Sequence, residues 1–276
     1  MAFTGEQSPC TDHVELALQQ QLGYNGPHLM EGLPLMNAHT VIIPTYNERE
    51  NIEQLVDNIT GLGLGSRVII VDDNSPDGTG RLADELAAHY GGITVIHRPG
   101  KLGLGTAHIA GIEAALANGS EQIVTMDADF SHHPRYIPDL LAALSRFDVV
   151  IGSRYVDGGG TRYCTLPRKA LSRGANLFAR TVLSLHAGDA TAGFRAYRHP
   201  VLESIALDEI ESNGYSFLIE MLYRCQRKGW TIGEVPIVFE NRQRGASKIS
   251  RAEILRAMQT VVQLGAERAG GRLKRS

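Results

Sequence analysis

The chain has 276 residues, room for one or two domains, and 43% of them are hydrophobic against 21% charged, which excludes a disordered chain and fits a sizeable core. The formal charge of -3 gives no overall pull toward nucleic acid, so no nucleic-acid partner is expected and any basic site is local. No apolar run approaches the ~20 residues of a membrane span, no basic stretch leads into an apolar one at the N-terminus, and three scattered cysteines, Cys10, Cys164 and Cys225, fit a reducing compartment better than a disulfide framework.

Residues 1–38 mix polar residues, Gly and Pro around one helical patch, HVELALQQQL, and read as a loosely ordered extension. The core begins at TVIIPTYNE, where Val41, Ile42 and Ile43 form a buried strand bounded by Pro44. RENIEQLVDNI follows with apolar residues at Ile52, Leu55, Val56 and Ile59, a helical period. RVIIVDDNSPDGTG is a second strand running into a turn, TGRLADELAAHY a helix, and GITVIHR a third strand. GTAHIAGIEAALANG is a helix closed by Gly119. QIVTMDAD is the fourth strand, PRYIPDLLAAL a helix, and FDVVIGSRY the fifth strand. Strands alternating with helices predict an α/β fold with a mostly parallel sheet flanked by helices.

The second half is less regular. A Gly-rich loop, DGGG, precedes a helix rich in Arg and small residues, RKALSRGANLFARTVLSL. DATAGFRAYRHP reads as a loop and strand, YSFLIEMLYRCQRKG as a helix, TIGEVPIVFE as one strand, and NRQRGASKIS as a basic loop suited to a lid. The last helix places Ile254, Leu255, Met258, Val261 and Val262 on one face, and a basic tail with Arg268, Arg272, Lys274 and Arg275 follows it.

In parallel sheets ligands bind outside the C-terminal strand ends, and the polar motifs fall there. Pro44 to Glu48 follow strand one, Asp72 and Asp73 end strand two, Asp127 and Asp129 end strand four, and Arg154 ends strand five. A strand cannot bury two unpaired carboxylates, so MDAD must face a positive partner. Oxygen ligands one residue apart suit Mg²⁺ or Mn²⁺, held by carboxylates, water and substrate phosphates, with Ser131 as a further candidate ligand. An aspartate after strand two is placed to accept hydrogen bonds from a base or ribose. Arg154, Arg168, Lys169, Arg173, Arg195, Arg242, Arg244 and Lys248 read together as one or two phosphate sites. Neither GLGLG nor GKLGLG is a phosphate-binding Walker motif. His132 and His133 are adjacent and face different ways, so they make poor joint ligands. Glu220 can pair with Arg224 one helical turn on.

IPTYNERENI, VDDNSPDGT, GLGTAHIAG, MDADFSHHP, GSRY, RKALSRGAN, TAGFRAYR, YSFLIEM and IGEVPIVFENRQRGASK occur in that order. The set resembles the dolichol-phosphate (polyprenol-phosphate) mannosyltransferases, inverting enzymes of the A-type nucleotide-sugar glycosyltransferase fold, over about residues 39–260. The resemblance implies one catalytic domain over 39–276, with a nucleotide half at about 39–155 and an acceptor half at about 156–276. It implies transfer of mannose from GDP-mannose to a dolichyl or polyprenyl monophosphate. It places Pro44, Tyr46, Glu48, Val71 and Asp73 at the nucleotide, and Asp127, Ala128 and Asp129 at donor and metal. Arg154 and Arg168 would face the reacting phosphates, and Arg242 and Lys248 would close over the donor diphosphate. Many relatives carry Gln in place of Ser131. Asp129, Arg154 and Arg168 are thus the expected catalytic set.

An acceptor phosphate monoester is mostly ionised at pH 7, so no general base is strictly required. The lipid implies a peripheral position on the cytosolic face of a membrane, reached through the final helix or a small membrane partner subunit. UDP-glucose or another sugar nucleotide is the rival donor, and a non-catalytic scaffold the rival class. A phosphatase using the first Asp as nucleophile is disfavoured, because Ser131 follows Phe130 where that chemistry wants Thr or Val.

Overall fold

The structure, a computed structural model, describes residues 39–210, 212, 214–240 and 251–269. The extension at 1–38 with its helical patch, and the basic loop with Arg242, Arg244 and Lys248, lie outside the described residues.

Seven strands form the central sheet: β1 (His39–Thr45), β2 (Arg67–Asp72), β3 (Ile93–His97), β4 (Gln122–Thr125), β5 (Val149–Ser153), β7 (Arg195–Arg198) and β8 (Ile232–Pro236). Their order is β3-β2-β1-β4-β7-β5-β8. All neighbours are parallel except β7, which runs antiparallel to both β4 and β5. β1 lies at the middle of the nucleotide half, in register with β2 at Ile43↔Ile70 and with β4 at Val41↔Val124.

Side chains alternate along a strand, and here both faces are apolar. Val41 and Ile43 of β1, with Val68 and Ile70 of β2, join one core layer under α1 (Arg49–Thr60), α2 (Thr79–His89) and α4 (Ile137–Ala143). Ile42, Ile69 and Val71 face the opposite layer, with α3 (Leu104–Ala117), α6 (His199–Ser204) and α7 (Tyr215–Arg227). Each fully buried aliphatic side chain contributes about 1.5–3 kcal/mol. α3 comes so close to β1 that a Cβ on Gly111 would lie 2.4 Å from Ile42 Cγ2. That helix closes as the sequence implies. Gly119 is left-handed at φ 68°, and the Ser120 amide reaches back to the Ala115 carbonyl at 3.0 Å. Cys225 is buried in this layer, which pushes its thiol up to about 12, so it is an inert packing group.

A third cluster joins α5 (Leu166–Leu183), α7 and α8 (Arg251–Ala269), and it changes the reading of the last helix. Val261 and Leu264 pack inward, whereas Leu255, Met258 and Val262 are exposed. The apolar residues of α8 thus divide between two faces. The segment TIGEVPIVFE is also two strands rather than one. β8 ends at Pro236, and β9 (Val238–Glu240) leaves the main sheet to pair with β6 (Gly160–Arg162), a strand that begins at the last glycine of the Gly-rich loop. No described helix is long and apolar enough to cross a membrane.

Candidate active site

β1, β2, β4 and β5 all end at one edge of the sheet, and each delivers polar residues there. β1 runs into Tyr46 and Glu48. Pro44 is buried, the Tyr46 ring carries the Lys101 ammonium 4.3 Å above its centre, and Glu48 Oε2 accepts from Asn51 Nδ2 at 2.9 Å. β2 ends with two carboxylates doing different work. Asp72 accepts from Thr45 Oγ1 at 3.0 Å and from Ser75 Oγ and N at 2.5 and 3.0 Å, so it shapes the turn after the strand. Asp73 pairs with the buried Arg98 at 2.8 Å and accepts from the Gly103 amide at 3.2 Å. Burial raises the Asp73 carboxyl above its ordinary value, against the lowering pull of Arg98. Asp73 therefore latches the loop before α3 onto β2. Arg98 and Thr106, which donate and accept at 2.6 Å, complete that latch; Thr106 lies in the GLGTAHIAG motif, whereas Arg98 lies in none of the quoted motifs.

β4 ends at Thr125, so Asp127 and Asp129 lie beyond the ladder and strand alternation does not set their directions. The turn does. Phe130 is left-handed at φ 58°, and the Ser131 amide donates to Asp129 Oδ1 at 2.9 Å, which buries Asp129 and folds Ser131 inward. Asp127 stays partly open, its side chain 34% exposed. Gly193 faces it, where an added Cβ would lie 3.4 Å from Asp127 Oδ1. His132 is buried between the rings of Phe194 and Phe239, each 5.4 Å away, and its Nδ1 lies 3.5 Å from Asp127 Oδ2 without a hydrogen-bond partner among the described residues. Burial drops this imidazole to about 4, so it is neutral at pH 7. His133 instead caps the short helix at Pro134–Tyr136 by accepting from the Arg135 amide at 3.2 Å. The two histidines do face different ways.

Among the described residues no three His, Cys, Asp or Glu side chains converge as a complete metal cage. The donor set at β4 is two carboxylates, one open toward a glycine, beside an orphaned imidazole nitrogen. That fits a hard divalent ion completed by substrate oxygens and water, and it fits a protein-only cage poorly.

β5 delivers Arg154, and the structure shows what holds it. Nε and Nη2 grip the two oxygens of Asp189 at 2.7 and 2.6 Å, and Asp189 is fully buried. Sequence reading missed Asp189, a turn-former in GDATAGF. Arg195, expected with the phosphate-binding set, is corrected. It is fully buried on β7, donating to the carbonyls of Leu218 and Ala190 at 2.7 Å each, so it ties α7 to the loop before β7 and meets no substrate. Val71 and Ala128 are buried beneath the wall. Arg168 stands half-buried in the first turn of α5. Further along that helix, Arg173, Asn176, Leu177 and Arg180 line a cavity of about 390 Å³ together with Arg154 and Tyr155. The Glu220–Arg224 pair forms at 2.8 Å on α7.

Residues 40–206 match the model of glycosyl transferase family 2. The chain belongs to that family. It is 45% identical to the polyprenol monophosphomannose synthase of Mycolicibacterium smegmatis, over 86% of this chain and 89% of that protein. It is 45% identical to the undecaprenyl-phosphate mannosyltransferase of Micrococcus luteus, over 81% and 92%. The fold of this glycosyltransferase is shared by glucosyl-3-phosphoglycerate synthase from Mycobacterium tuberculosis, solved with Mn²⁺, UDP and glucosyl-3-phosphoglycerate, at TM-score 0.58 and 21% identity over 97% of this chain and 87% of that one. It is shared also by a Pyrobaculum calidifontis mannosyltransferase solved with GDP-Man and Mn²⁺, at TM-score 0.50 and 16% identity over 86% and 75%. The A-type fold expected from the motifs is therefore the fold observed.

Proposed function

We propose that this glycosyltransferase moves mannose from GDP-mannose to a dolichyl or polyprenyl monophosphate with inversion, releasing GDP. The observation that carries the reading is one sheet edge that bears the carboxylates after β4 and, two strands away after β5, Arg154 of a cavity also lined by Arg173 and Arg180. A donor diphosphate needs the first and an anionic acceptor needs the second. Both curated relatives, a polyprenol monophosphomannose synthase and an undecaprenyl-phosphate mannosyltransferase, support mannose transfer to a polyprenyl phosphate.

In this scheme Pro44, Tyr46, Glu48, Val71 and Asp73 form the nucleotide side, and Asp127, Ala128 and Asp129 the diphosphate side, with Ser131 a further candidate. Asp127 and Asp129 would hold Mg²⁺ or Mn²⁺, which neutralises charge on the leaving diphosphate when bound. The acceptor phosphate oxygen attacks C1 of mannose as the bond from C1 to the diphosphate oxygen breaks, so the anomeric centre inverts. The acceptor arrives ionised and needs no proton removed. The protein's task is then to hold two anions in line, which Arg154 and Arg168 do by charge and orientation. Arg242 and Lys248 would add charge over the donor.

The lipid places the enzyme on the cytosolic face of a membrane. α5 and α8 pack side by side and carry the exposed Leu166, 80% open, and Leu255, 61%. Such leucines enter the acyl boundary of a bilayer, and basic side chains on α5 attract anionic headgroups. The test is a donor panel. Purified protein with Mg²⁺ or Mn²⁺ and a polyprenyl phosphate receives GDP-mannose or UDP-glucose, and glycolipid and free nucleotide are measured. Mannolipid from GDP-mannose alone is expected. Glucolipid from UDP-glucose with no mannolipid would overturn the donor assignment.

A further inference from the structure

The loop before β7 is held by more bonds than a connection between two elements needs. Glu234 of β8 accepts the amides of Gly188 and Asp189 at 2.7 and 3.0 Å, one on each carboxylate oxygen. Asn176 of α5 donates to Thr191 Oγ1 at 3.0 Å and accepts the Thr191 amide at 3.3 Å. Between these two anchors Asp189 turns inward, fully buried, and receives three donors from Arg154: Nε at 2.7 Å, Nη2 at 2.6 Å and the backbone amide at 3.1 Å. Nη2 also donates to Thr191 Oγ1 at 2.9 Å. The Arg154 guanidinium further lies 5.2 and 5.3 Å from the ring centres of Tyr155 and Phe239.

A buried ion pair is poor evidence for stability, because desolvation offsets most of its attraction. Fixing a geometry is its better attested use. An arginine on a loop after a strand ordinarily samples many rotamers, and each must be frozen before it can orient a phosphate. Here the freezing is done in advance.

We propose that Asp189 is the positioning residue of the transfer reaction, acting through Arg154, with Glu234 and Asn176 clamping the loop that carries it. The inference rests on the reading of Arg154 as a residue that faces the reacting phosphates. Asp189 touches no substrate. It holds the guanidinium plane in one orientation on the wall of the basic cavity, so that the acceptor phosphate meets a fixed charge rather than a mobile cation.

The experiment is a double-mutant cycle on the full chain, with Asp189→Asn, Arg154→Ala and the pair. Mannosyl transfer to polyprenyl phosphate is measured as kcat and KM, and nucleotide binding with Mn²⁺ by calorimetry. Asp189→Asn keeps the shape and loses the charge. Its kcat should fall about 100-fold, the cost of a misplacement near 1 Å, with nucleotide affinity changed less than about 3-fold. The pair should be no slower than Arg154→Ala alone, because the aspartate has nothing left to position. Losses that multiply in the pair would overturn the positioning role and leave Arg154 standing. Full transfer by Arg154→Ala would instead overturn the reading of Arg154 and this proposal with it. If Asp189→Asn does not fold, Glu234→Gln replaces it in the same cycle and the same two outcomes decide.

Discussion

His108 lies on α3 against the sheet, fully buried, with its ring stacked on Phe217 at 5.5 Å and 6°. Neither ring nitrogen has a hydrogen-bond partner among the described residues. Burial, helped by the nearby Arg195 charge, lowers its pKa from 6.5 to about 3. The native state therefore keeps a neutral imidazole while the unfolded chain takes a proton below pH 6.5. A folded pKa below the unfolded one means that stability is whole above pH 6.5, declines as pH falls from there, and stops declining only near pH 3. By pH 5 the loss from this group is about 2 kcal/mol, and near pH 3 it approaches about 5 kcal/mol. His108→Leu removes the titration and keeps an apolar side chain of similar volume. Urea unfolding followed by circular dichroism between pH 8 and pH 5 measures the difference. The wild-type chain should lose about 2 kcal/mol more than the variant over that range. His132 titrates in both proteins and cancels in the comparison. Parallel curves for the two proteins would show that His108 is not a buried neutral base and would refute the reasoning.

Asp129→Ala should reduce metal-dependent transfer by more than about 100-fold and weaken Mn²⁺ binding to the nucleotide-loaded protein; transfer surviving in EDTA would refute the metal role. Arg168→Ala should raise the KM for polyprenyl phosphate about 10-fold or more with little change in nucleotide affinity, and unchanged acceptor kinetics would remove Arg168 from the acceptor side. Leu166→Ser combined with Leu255→Ser, both exposed on α5 and α8, should cut sedimentation with anionic vesicles about 10-fold while transfer to a short, water-soluble prenyl phosphate persists; undiminished sedimentation would place the membrane contact elsewhere. Gly111→Ala puts a methyl 2.4 Å from Ile42 Cγ2 and should destabilise the fold by about 1–3 kcal/mol, read as a lower Tm.

The nucleotide half was legible because its signals are local. A buried parallel strand is an unbroken apolar run, and a carboxylate pair just past its end is visible without any knowledge of the fold. Strands β1 to β5 and helices α1 to α4 follow from such runs, and so does the position of Asp127 and Asp129. The acceptor half was not, because its meaning lies in pairings across the chain. Asp189 resembles any turn aspartate until Arg154, 35 residues earlier, closes on it. Arg195 and Arg154 look alike in sequence, yet one is sealed under α7 and the other stands at the rim. β6 and β9 are three residues each, too short for periodicity to register. The break between β8 and β9 follows Pro236, a residue that cannot donate to a ladder.

The reversed strand has a mechanical consequence. Because β7 points against its neighbours, its entry rather than its exit lies at the working rim, and the segment that arrives there is stapled on both flanks before the strand begins. The rim thus behaves as a hem sewn from chain running in both directions. The amides of Gly188 and Asp189 are bound to Glu234 on β8 and that of Thr191 to Asn176 on α5, so freeing this segment means breaking its bonds to both elements.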